Sequence, residues 1–138
     1  MNTKNDRHSS LSDIGLKKFA AAIVCFVVVL ILVCLPGDEL PSQHAWMDIT
    51  FLDKWVHAIM FALMTFLFLL PVGESSLYKQ QKRHYFIRIS LSICIWGLTT
   101  EYIQKFYIPS RDFDLVDWAA DSAGVLAAFL YSRKFHRR

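Results

Sequence analysis

Covalent cross-links have little to draw on in this sequence. It holds three cysteines in 138 residues, Cys25, Cys34 and Cys94, and no two form a C-x-x-C pair. All three sit inside apolar stretches, where a thiol behaves as a small hydrophobe, so neither a disulfide framework nor a cysteine metal motif is expected. Glycine and proline are scarce as well, five and four. No Gly-rich phosphate loop occurs, and neither does an H-E-x-x-H helix or a serine or cysteine nucleophile signature. No internal repeat and no low-complexity linker interrupts the chain. The expectation from these gaps is one small domain with no cofactor and no resident metal.

What the sequence does have is apolar residues, 54% of the chain, against roughly 45–50% in ordinary soluble domains. They fall in four runs: Phe19 to Leu35, Trp55 to Val72, Phe86 to Gln104, and Leu115 to Tyr131. A helix needs about 20 mostly apolar residues to cross a hydrocarbon core of about 30 Å, and each run reaches that length once its interfacial ends are counted. The first two runs lack the polar stripe that a soluble amphipathic helix carries. The fold class expected is therefore all-α, a polytopic bundle of four transmembrane helices. The first run follows basic residues, as a signal peptide would, but "CLPGDEL" lacks a small-residue cleavage site. A retained anchor is expected.

Charge orients the bundle. Lys4, Arg7, Lys17 and Lys18 precede the first run; Lys79, Lys82, Arg83 and Arg88 lie around the middle loop; Arg133, Lys134, Arg137 and Arg138 end the chain. These are twelve of the fifteen Lys and Arg. Basic residues stay cytoplasmic, which puts both termini and the middle loop inside. The loop from Leu35 to Lys54 and the short one around Pro109 are then outside, and nine of the twelve acids lie on that side. The segments expected are a cytoplasmic tail (1–18), an anchor helix (19–35), a three-helix membrane region (53–131) and a basic cytoplasmic tail (132–138). Anionic lipid, not nucleic acid, is the partner such basic ends imply next to a membrane. Trp46, Trp55 and Tyr107 suit the headgroup level.

One polar stretch interrupts this pattern. "EYIQKFYIPSRDFDLVDWAADSAG", Glu101 to Gly124, carries five acids between apolar runs. In the expected topology it forms the outer end of the third helix, a tight turn, and the outer start of the fourth. The second helix begins on the same side with Asp53, Lys54 and His57. Asp53 with His57 (i, i+4), Glu101 with Gln104 (i, i+3), and Asp117, Asp121 and Gly124 (i, i+4, i+7) each share a helix face. Gly124 and Ala128 form a small-xxx-small pair for close helix packing. Asp114 fits an N-cap with Asp117 at N3, and Asp53 fits a cap of the second helix. Arg111 has Asp112 and Asp114 as nearby partners. Asp121 and Glu101 lie too deep for capping, and an intramembrane acid usually faces the interior, pairs, and marks function.

Together, "DKWVHAIMFALM" and "TEYIQKFYIPSRDFDLVDWAADSAGVLAA" resemble the VanZ-like family of small bacterial membrane proteins. The resemblance rests on Asp53, Lys54, His57, Glu101, Gln104, Arg111, Asp117, Asp121 and Gly124, and spans about Asp53 to Phe129. It departs from the pattern at Asp121, where family members often have Asn. The resemblance implies a multi-pass protein of the bacterial inner membrane and cell envelope. The family's founding member is associated with low-level teicoplanin resistance.

Two functional classes follow. In the first, a non-enzymatic protein uses its outer polar pocket to bind a lipid headgroup, a wall precursor or a glycopeptide. Its ligand-binding residues are Asp53, Lys54, His57, Glu101, Gln104, Arg111, Asp117 and Asp121. Lys54 and Arg111 hold an anionic group and the acids hold amines. In the second, a small membrane enzyme uses His57 with Glu101 or Asp121 as catalytic groups for acid–base chemistry on a lipid-linked substrate, or gathers a divalent cation with His57, Glu101, Asp117 and Asp121. The absence of a nucleophile signature favours the first.

Overall fold

Helices account for every regular element in the computed structural model, which describes residues 14–35, 52–109 and 111–136, without the side chains of Leu52 and Asp53. A short 3₁₀ helix, Leu16–Phe19, leads into α1, Ala20–Val33. Then come α2 (Leu52–Gly73), α3 (Lys79–Tyr107) and α4 (Leu115–Phe135). Among the described residues, three segments are long and apolar enough to cross a membrane: Leu16–Val33, Lys54–Gly73 and Lys79–Tyr107. Over its described residues the chain is thus an all-helical membrane protein. Most of the outer loop expected from Leu35 to Lys54, with Trp46, and the tail residues before Ile14 lie outside the described residues.

Two helices run further than their apolar runs. α3 begins at Lys79, seven residues before the run. Its first turns hold Lys, Gln and Arg, which are good helix formers whatever their polarity, and the Gln81 side chain accepts from the Tyr78 N–H at 3.0 Å. α4 takes Ser132 to Phe135 out of the expected tail. Arg133 and Lys134 in its last turn lie where the helix dipole favours cations. Pro71 sits inside α2, near its end; having no N–H, it cannot donate to the carbonyl four residues back, so one helical hydrogen bond is absent there.

α2 is the centre of the bundle. It packs on α1, α3 and, most extensively, α4, and α3 packs on α4 in turn. Gly124 sets the α2–α4 distance: a Cβ there would come within 2.0 Å of the Ala58 carbonyl oxygen. The small-residue pair read from the sequence does bring two backbones together, and Ala128 is buried one turn further along. The middle of the bundle is filled by Val29, Val33, Phe61, Met64, Ile93 and Val125. A second apolar cluster, Ile14, Leu69, Val72, Leu77 and Phe86, closes one end.

That end is basic. Lys82 Nζ donates to the Gly73 carbonyl at 2.6 Å, and the His136 ring sits against Gly73 and edge-on to Phe86. At the opposite end, the start of α2, the end of α3 and the start of α4 meet the end of α1, where Gln104 Nε2 donates to the Val33 carbonyl at 3.3 Å. The four helices therefore alternate in direction. Trp55 and Tyr107 are well exposed at this second end.

Candidate functional site

The second end gathers the polar residues that the sequence distributes over three helices. α4 opens at Asp114, whose side chain accepts from the Val116 N–H at 2.7 Å, so it is the N-cap. Asp117 is then the third residue of the helix. Lys54, in the first turn of α2, reaches both: its Nζ lies 2.6 Å from Asp114 Oδ2 and also donates to Asp117 Oδ1. Lys54 supplies the pairing cation for both acids, and the surface pairing of Arg111 with Asp114 that the sequence left open is not made. The Arg111 guanidinium makes no hydrogen bond or ion pair with a described residue, and its Nε is buried without a partner. The start of α4 lies against the start of α2, which brings both acids to Lys54.

Asp114 is the one acid of the group in the loop beyond the membrane segments. The Lys54 ammonium bonded to it, helped by the Val116 N–H, holds its carboxyl below the usual carboxylate range. Its backbone N–H also has a partner inside the bundle, donating to Glu101 Oε2 at 2.9 Å. A single residue thus ties α4's start to both α2 and α3.

Below this layer lies the most buried group of the site. Glu101 and Asp121 are 0% exposed and His57 is 5% exposed. His57 Nδ1 and Asp121 Oδ1 are 3.0 Å apart. His57, Glu101 and Asp121 each offer one nitrogen or carboxylate oxygen within 4.8 Å of the other two. Glu101 Oε1 is buried and has no hydrogen-bond partner among the described residues. Two carboxylates and an imidazole so placed can share protons, hold a cation, or accept hydrogen bonds from a ligand.

Of the expected binding residues, Lys54, His57, Glu101, Asp117 and Asp121 come together here. Asp117, Asp121 and Gly124 face inward, as their spacing predicts. Gln104 is buried but serves the α1 contact instead. α2 starts at Leu52, so Asp53 falls inside the first turn and not at a cap; its side chain lies outside the described residues. The sequence reading missed Gly97, where a Cβ would lie 3.1 Å from both Asp121 Oδ2 and the Phe61 ring. Its position one turn before Glu101 was the available signal. Trp118 donates from its indole N–H to the Cys94 carbonyl at 3.1 Å, fixing α4 against α3.

These features define a class: a helical membrane protein with a buried imidazole–carboxylate cluster at one end. No family model, curated protein or solved structure matches the chain.

Proposed function

We propose that the chain is a four-span protein of the bacterial inner membrane, with both termini cytoplasmic. Its outer end binds the polar head of an envelope ligand, whether a lipid, a lipid-linked wall precursor or a glycopeptide. The observation that carries this reading is a pair of unmatched buried groups: Glu101 Oε1 lacks a donor, and Arg111 Nε, ten residues on, lacks an acceptor. A buried polar atom without a partner costs roughly 1–3 kcal/mol, and a ligand bearing both an amine or hydroxyl and an acidic group supplies both partners. Arg111 takes a phosphate or carboxylate through its planar fork. Glu101 takes the donor.

Support for the fourth span comes from α4's outer face. Leu126, Leu130 and Tyr131 are exposed there, while its polar residues Asp117, Asp121 and Ser132 are buried. Support for the orientation comes from the basic residues gathered at the other end. The reading as a VanZ-like protein, with a role in teicoplanin-type resistance, rests on the motif residues quoted above.

Native mass spectrometry of the full chain released from detergent tests the ligand reading. The wild type is expected to carry a phosphate- or carboxylate-bearing envelope molecule, and Arg111→Met and Glu101→Gln to lose it. Equal retention by both variants would sink the proposal.

A further inference from the structure

The imidazole–carboxylate cluster has the composition and spacing of a metal site as well as a polar one. We propose that His57, Glu101 and Asp121 bind one divalent transition-metal ion, of the Zn²⁺ or Mn²⁺ type, between α2, α3 and α4. Three atoms no more than 4.8 Å apart all lie within about 2.8 Å of a common point (4.8/√3). Zn²⁺ sits about 2.0–2.2 Å from nitrogen and carboxylate oxygen, so the three side chains close by less than ~1 Å each. One nitrogen and two carboxylate oxygens form a borderline-to-hard donor set, which suits Zn²⁺ and Mn²⁺ and excludes copper(I).

The surroundings favour an ion over an empty cluster. Two carboxylates that are 0% exposed are costly to keep charged in a low-dielectric interior, and His57, 3.0 Å from Asp121, offers at most one positive charge for the two. The nearby cation, Lys54, bonds Asp114 and Asp117 one layer further out. Glu101 Oε2 is held by the Asp114 N–H, which orients the carboxyl as a supporting hydrogen bond orients a metal ligand, while Oε1 has no donor. Gly97 leaves the side of Asp121 free of a Cβ. With three protein ligands, a fourth position falls to water or to an oxygen of the ligand's acidic group. That last step rests on the headgroup reading, in which the ion then takes the place of the ligand's donor at Glu101 Oε1; the binding of the ion does not.

The test uses the purified full chain in a maltoside detergent free of phospholipid, stripped with chelator. It is dialysed against Zn²⁺ or Mn²⁺ alone and analysed for metal content. The wild type is expected to retain one ion per chain. Glu101→Gln and Asp121→Asn, checked for folding by circular dichroism and gel filtration, are expected to bind at least ~10-fold more weakly. Asp112→Asn, an exposed acid of the same loop, is expected to bind as the wild type does. Asp121→Asn keeps an oxygen for the hydrogen bond with His57, so it separates loss of the ligand charge from loss of fold. Wild-type protein without bound ion overturns the proposal, and so does wild-type retention by either folded variant. Because no headgroup is present, the ion and the headgroup readings fail separately.

Discussion

Three aspartates within eight positions do three different jobs, and depth decides which. Asp114 sits at the water boundary and caps α4; Asp117 pairs with Lys54; Asp121 is fully enclosed beside His57. Replacing Asp114 by Ala is expected to cost about 0.5–2 kcal/mol, the value of a cap, read as a lower melting temperature in detergent. Its pH dependence follows from the lowered pKa. A carboxyl held below its unfolded value of about 3.9 stabilises the fold fully above that pH. The contribution is lost as pH falls through the lower folded value. The stability gap between wild type and Asp114→Asn should therefore be constant from pH 7 to 5 and narrow below about pH 4. A gap that widens on acidification would place the stabilising charge elsewhere.

At the scale of elements, the α2–α4 pair depends on the absence of one side chain. A Cβ at Gly124 would strike the Ala58 backbone oxygen, and backbone cannot swing aside. Gly124→Ala should destabilise by about 1–3 kcal/mol, the usual range for overpacking, and Gly124→Leu by more. Gly73 is the useful contrast. The atoms nearest a Cβ there belong to the His136 ring, which can rotate away, so Gly73→Ala is expected to change the melting temperature little. If the two substitutions cost the same, Ala58 does not set the spacing. The same packing seals the cluster, since Ala58 is the residue after His57. Gly124→Leu should thus also weaken metal retention without touching a ligand.

At the scale of the whole molecule, charge and apolar surface act together. Large apolar side chains are exposed on the flanks of all four helices, including Val24, Ile59, Ile95 and Leu126, a surface that lipid would cover in the proposed four-span arrangement. The basic end faces the cytoplasm in the proposed orientation. A reporter fused after Arg138 should then read as cytoplasmic and one inserted at Ser42 as external. The reverse result would invert the proposed topology and put the imidazole–carboxylate cluster on the inner side.

Much of this was legible without coordinates, for reasons of period and sign. Uninterrupted apolar length marks a spanning helix because lipid leaves the backbone no other partner. The i, i+4, i+7 spacing of Asp117, Asp121 and Gly124 fixes a shared face by helix geometry alone, and all three are buried. Local capping chemistry identified Asp114. Helix ends were less legible, since polar helix formers such as Lys79 to Arg83 extend α3 without changing hydropathy. Pairing between helices was not legible. Lys54 and Arg111 are both cations near the same acids, and only the way α4's start sits over α2 gives Asp114 and Asp117 to Lys54. Gln104 reads as a site residue from its spacing with Glu101, yet α1 claims it. The closeness of His57, Glu101 and Asp121 likewise comes from three helices packing at once. The sequence by itself determined that these groups lie at similar depth on inward faces. Only the tertiary structure decided which touch, because contact depends on the rotation and separation of helices, and one missing Cβ at Gly124 sets both for α2 and α4.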